Sequence, residues 1–140
     1  MLFALTAAAL TACADDGIID PNPNDAIVTF VFEGHPADTL RVIVQDSATV
    51  AAADAYVQTK TGPRMLIGKI ARGAGVDGRY PFHFDATTVR LADMATEVCD
   101  GAPMRTTAEV DEFFALSTGS AASTTATWCP WSSYPVKVER

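Results

Sequence analysis

The sequence predicts an α+β fold: a single domain with a mostly antiparallel sheet of five or six strands, two helices and one disulfide. Three observations lead to it. Short segments rich in β-branched and aromatic residues recur between clusters of Gly, Pro, Asn and Asp, several of them alternating apolar with polar residues. Two further stretches place helix-capping residues ahead of apolar positions at helical spacing. The chain has 140 residues, 49% hydrophobic and 19% charged, which suits one core and excludes both a disordered chain and a multidomain enzyme.

The elements follow in order. Ile27 to Glu33 (IVTFVFE) is β-branched and aromatic without a breaker and reads as a strand; Gly34 to Asp38 turns the chain. Thr39 to Gln45 alternates Leu40, Val42 and Val44 against Arg41, Ile43 and Gln45, the pattern of an antiparallel partner. Asp46 or Ser47 caps a helix from about Ala48 to Thr59, whose stripe is Val50, Ala53 and Val57 with Asp54 at its edge. Gly62-Pro63 ends it, and Arg64 to Ala71 reads as a strand with Leu66 and Ile70 facing inward.

Gly73 to Gly78 has the glycine density of a phosphate cradle, but no Lys-Ser/Thr follows, so it reads as a mobile turn. In Arg79 to Asp85 the aromatics Tyr80, Phe82 and Phe84 alternate with Arg79, Pro81, His83 and Asp85. Because Pro81 has no amide donor, this strand belongs at a sheet edge, or Pro81 at its start or in a bulge. Thr87 to Ala92 is a further strand. Thr106-Thr107-Ala108-Glu109 has the form of a capping box and opens a second helix with Val110, Phe113 and Phe114 on its apolar side. Ser117 to Thr127 is Ser/Thr/Ala-rich and reads as exposed, and Pro135 to Glu139 as the closing strand.

Charge excludes a nucleic-acid partner: ten basic residues against seventeen acidic ones, net −7, form no basic block that would release counterions from a phosphate backbone. The N-terminus points to a membrane instead. Residues 1–12 are mostly Ala and Leu and too short to span a bilayer, which takes about 20 residues. They read as a signal peptide, although Met1-Leu2-Phe3 lacks the usual Lys or Arg. Leu10-Thr11-Ala12-Cys13 resembles the lipobox of bacterial lipoproteins, which implies cleavage before Cys13, a diacylglycerol on its thiol and a further acyl chain on its amine. The expected location is the bacterial cell envelope, facing the periplasm or exterior. Residues 13–25, rich in Pro, Asn and Asp, are the expected flexible tether, and 26–140 the folded body. The four Asp residues of the tether lack the D-x-D-x-D-G order of a calcium loop.

With Cys13 assigned, Cys99 and Cys129 remain as a pair, and export would oxidise them to a structural disulfide. The competing readings are a metal site or a nucleophile. The chain has no C-x-x-C, and His35 and His83 stand at no zinc-ligand spacing from either cysteine.

Phe82-His83-Phe84-Asp85, then Glu97-Val98-Cys99-Asp100-Gly101, then Trp128-Cys129-Pro130-Trp131-Ser132-Ser133 resemble, in order and spacing, the N-terminal domain of a calmodulin-binding protein family first named in social amoebae and widespread in bacterial exported proteins. The resemblance runs from about Ile27 to Glu139, and Cys129 to Ser132 is its most specific part. In the family the two cysteines recur at these places, which implies the same bridge. The family usually has a tryptophan near Tyr80, no proline at Pro81 and an Arg where Tyr134 stands. The resemblance implies no enzymatic activity, and the calmodulin label belongs to longer proteins.

Three constellations are candidate sites. His83 and Asp85 flank Phe84 on one strand face, where a carboxylate orients an imidazole for general-base work; no G-x-S-x-G elbow accompanies them. Glu97, Asp100, Asp93 and Asp85 could offer oxygens to calcium, the one cofactor the sequence suggests, against the simpler reading of a solvated acidic face. Trp128, Trp131 and Tyr134 surround the bridge, Trp128 as core and Trp131 either as core or as part of an aromatic platform. With His83 and Asp85 they form the candidate binding surface. The expected function is a non-catalytic, lipid-anchored module binding a protein, peptide or glycan. The alternatives are a small envelope hydrolase or calcium-dependent enzyme built on His83 and Asp85, and a protease inhibitor presenting Gly73 to Gly78.

Overall fold

The computed structural model describes residues 25–95 and 99–140. The segment 1–12, Cys13 and the tether up to residue 24 lie outside the described residues, as does Glu97. The elements run β1 (Ala26–Phe32), β2 (His35–Val44), α1 (Ser47–Thr59), β3 (Met65–Arg72), β4 (Phe82–Phe84), β5 (Arg90–Ala92), α2 (Thr107–Thr118), β6 (Thr125–Trp128) and β7 (Ser133–Glu139). The fold is α+β with every strand pair antiparallel, two helices and one disulfide among the described residues.

Seven strands form two sheets, where the sequence pattern gives five or six in one. The first sheet is ordered β2-β1-β7. In the second, β3 is central, with β6 along one side and β4 followed by β5 along the other. The added strand is β6, inside the stretch read as exposed. Its outer positions are Ser/Thr-rich, but Ala126 and Trp128 face inward and are buried.

β1 and β2 meet through a tighter turn than expected. Gly34 takes φ +79°, a conformation that suits glycine, and β2 starts at His35, where a loop to Asp38 was expected. Even-numbered residues of both strands (Val28, Phe30, Phe32, Leu40, Val42, Val44) point into one core with Leu66 and Ile70 of β3. The helices begin where their caps require. Asp46 accepts from the Thr49 amide at 2.8 Å, and Thr106 and Glu109 exchange both bonds of a capping box. On α1 the buried stripe is Val50, Ala53 and Tyr56, with Val57 only half-buried, because the helix leans on β7, where Tyr56 meets Tyr134.

The sheets are linked where the chain passes from β6 to β7. The Ser133 hydroxyl accepts from the Leu66 amide at 2.9 Å and donates to the Pro130 carbonyl at 2.7 Å. The Cys99–Cys129 disulfide secures the same turn, its Cα atoms 5.2 Å apart, and the Cys129 amide donates to the Cys99 carbonyl at 2.9 Å. At the opposite side β2 and β4 approach without pairing and leave a groove.

Candidate functional site

The groove between β2 and β4 is built from local features upward. β3 leaves its sheet at Arg72, and Gly73 to Gly78 carries the chain over the outer face of β4 toward β2. The sequence suggests a mobile turn here; the structure shows a pinned one. The Gly73 amide donates to the Pro81 carbonyl at 3.0 Å, and the His83 Nδ1 lies 2.9 Å from the Gly73 carbonyl. A carbonyl only accepts, so Nδ1 carries the proton. Gly75 packs so closely that a Cβ there would lie 2.6 Å from the His83 Cβ.

Asp77 ends the loop and joins it to β2. It is 6% exposed, and its carboxylate accepts from the Arg41 amide at 3.1 Å and from the Arg79 side chain at 2.8 and 2.6 Å. Arg79 in turn donates to the Thr39 carbonyl at 2.8 Å, as does the Tyr80 hydroxyl at 3.0 Å. Burial pushes the Asp77 carboxyl up, but the bonds from Arg79 and the Arg41 amide outweigh it and hold the group below its ordinary value. Sequence reasoning missed Asp77. The only local sign was an Asp-Gly pair beside an arginine in a glycine-rich segment.

What results is a cavity of about 400 Å³ with mainly apolar walls, including Leu40, Val42, Phe82 and Phe84, and with His83 and Asp85 at its margin. Pro81 stands immediately before β4, and β4 is a sheet edge, the setting its missing amide requires.

The five residues of the expected binding surface are not brought together. His83 and Asp85 line the groove, but they share no hydrogen bond. Asp85 Oδ1 accepts from the Thr87 hydroxyl at 2.7 Å and its amide at 3.0 Å, and the Thr87 hydroxyl is the leading cause of its lowered pKa. A residue two positions on can close an Asx turn with Asp85, and this local bond prevails over the imidazole. Trp128 is fully buried, with ring centroids 5.2 Å from Phe82, 5.7 Å from Phe84 and 6.3 Å from Phe32, so it is core and no part of a platform. Tyr134 packs on Tyr56, 6.4 Å between centroids. Trp131 alone is open, at 52%, because its position in the turn after Cys129 points it outward while its amide donates to Asp100.

The acidic set does not converge on a cation either. Asp85 is engaged with Thr87 and Asp100 with Trp131, Glu97 lies outside the described residues, and no group of three metal-ligating side chains occurs among the described ones.

A family model for the N-terminal domain of the calmodulin-binding proteins of social amoebae and their bacterial exported relatives matches residues 26–140. The chain belongs to this N-terminal domain family. No curated protein and no solved structure matches it. In this member of the family the Cys129-Pro130-Trp131-Ser132 stretch is the turn that transfers the chain between sheets, locked by the disulfide and by Ser133. The Phe82-His83-Phe84-Asp85 stretch is β4 and the residue after it, one wall of the groove.

Proposed function

We propose that this domain is a lipid-anchored, non-catalytic binding module of the bacterial envelope, held to the membrane through Cys13 and recognising its ligand in the groove between β2 and β4. One observation carries the preference for binding over chemistry: the imidazole and the carboxylate at the groove are each committed elsewhere, His83 to the Gly73 carbonyl and Asp85 to Thr87. A general-base pair needs the carboxylate on the imidazole. What the groove offers is apolar wall and a few directed polar groups, the composition of a recognition site. An inhibitory role for Gly73 to Gly78 is disfavoured because the loop spends its contacts on His83 and Arg41.

Export and anchoring rest on Leu10-Thr11-Ala12-Cys13 and are supported by the oxidised Cys99–Cys129 pair. The test is the intact mass of membrane-fraction protein expressed from its native gene in a bacterial host, with and without reduction. The expected mass corresponds to cleavage before Cys13 plus diacylglycerol and acyl groups, lighter by two hydrogens before reduction. An unprocessed, soluble, reduced chain would overturn the proposal.

A further inference from the structure

The polar groups of the groove are peptide groups, and their arrangement specifies a ligand class. Along an antiparallel strand, alternate residues turn their N–H and C=O to opposite sides. On β2, Thr39, Arg41 and Gln45 face away from β1: the Thr39 carbonyl accepts from Arg79 and Tyr80, the Arg41 amide donates to Asp77, and the Gln45 amide meets the Ala86 carbonyl at 3.4 Å. Ile43 has the same parity and lies between them. Its N–H and C=O, and the Arg41 C=O, have no partner among the described residues.

β4 repeats the pattern from the other side. The Gly73 amide donates to Pro81 and the Asp85 amide to Lys69, so Pro81, His83 and Asp85 face β3. Phe82 and Phe84 therefore turn their peptide groups away from β3, also without partners among the described residues. Arg79 and Tyr80 lie against Thr39, and Ala86 against Gln45, so β2 and β4 run in the same direction. The two edges are held at both ends and open between, a gap of about 13 Å from Arg41 to Gln45 at strand rise.

We infer that the ligand of this groove is an extended peptide segment of another protein, of about three residues at strand rise, added as a strand antiparallel to both β2 and β4. The inference rests on the proposal that the groove is the binding site. A strand is the one common partner that presents alternating donors and acceptors to both edges at once, and antiparallel pairing matches every other pair in the domain. Its inward side chains would meet Leu40, Val42, Phe82 and Phe84, which calls for small apolar residues at alternate positions.

The test uses the full chain carrying Cys13→Ser, oxidised and nitrogen-15 labelled, and a display library of random heptapeptides. A synthetic copy of the enriched peptide should slow hydrogen exchange at the Ile43, Phe82 and Phe84 amides. The same peptide N-methylated at alternate nitrogens should bind at least about tenfold more weakly, the loss expected for one or two strand bonds. Ile43→Pro, which removes a donor facing the groove and no rung to β1, should weaken binding similarly. Equal binding of the N-methylated copy, protection confined to other amides, or no enriched peptide would overturn the inference. A parallel screen of small apolar fragments lacking amides separates the two levels. Fragments that shift these three amides where no peptide does leave the groove reading standing and refute the strand. If neither peptides nor fragments shift them, both fail.

Discussion

Replacing Asp77 with alanine should destabilise the domain by about 2 kcal/mol. The substitution leaves the Arg41 amide, which donates to Asp77 at 3.1 Å, without its acceptor, and an unsatisfied, partly buried donor costs about 1–3 kcal/mol. It also frees Arg79, but that guanidinium is 52% exposed and regains water, so the ion pair adds at most about 1 kcal/mol. For a domain of this size the loss corresponds to a drop in Tm of roughly 10 °C. Thermal and urea melts of the oxidised protein at pH 7 measure it, and Arg79→Ala should cost distinctly less. The effect is also pH-dependent. The Asp77 carboxyl is lowered from 3.8 in the folded state, so its contribution is fully present above that value and disappears as pH falls through the lower folded one. The gap between wild type and variant should therefore narrow below about pH 4. A loss under about 0.5 kcal/mol at pH 7, or a gap that widens in acid, would refute the assignment of Asp77 as the tie between loop and β2.

Further outcomes are expected. Reducing the disulfide, which closes a separation of 30 residues, should lower stability by about 3–4 kcal/mol, read as a shift in urea midpoint with and without reductant. Gly75→Ala places a Cβ 2.6 Å from the His83 Cβ, neither of which is a flexible end, and should cost about 1–3 kcal/mol in a melt. His83→Ala should cost about 1 kcal/mol through the lost bond to Gly73; loss of a hydrolytic activity at unchanged Tm would instead favour an enzyme. Gly101→Ser should stabilise by about 1 kcal/mol, because the buried Trp128 Nε1 has no partner and a Cβ at position 101 would lie 3.4 Å from it, so that a hydroxyl comes within reach; an unchanged Tm would count against this reading of Trp128.

The sequence by itself determined the features that arise within a few residues. Alternation marked β1, β2 and β3, because a strand with one buried face must repeat every second residue whatever it packs on. The start of α1 at Asp46 and of α2 at Thr106 was legible because a cap is a bond between a side chain and an amide three residues on. The disulfide followed from counting cysteines once Cys13 was set aside. Tertiary structure decided the rest. β6 is a strand because β3 offers it an edge, since Thr125 to Thr127 has little apolar pattern of its own. Trp128 and Trp131 are three positions apart in similar surroundings, and only the transfer between sheets sends one into the core and the other to solvent. His83 found Gly73 in place of Asp85, and Asp77 found the Arg41 amide, contacts that depend on how a glycine-rich loop crosses two strands. The groove was least legible of all, because its polar groups belong to the backbone. Every residue carries the same amide and carbonyl, and only the arrangement of the sheets determines which are left unpaired.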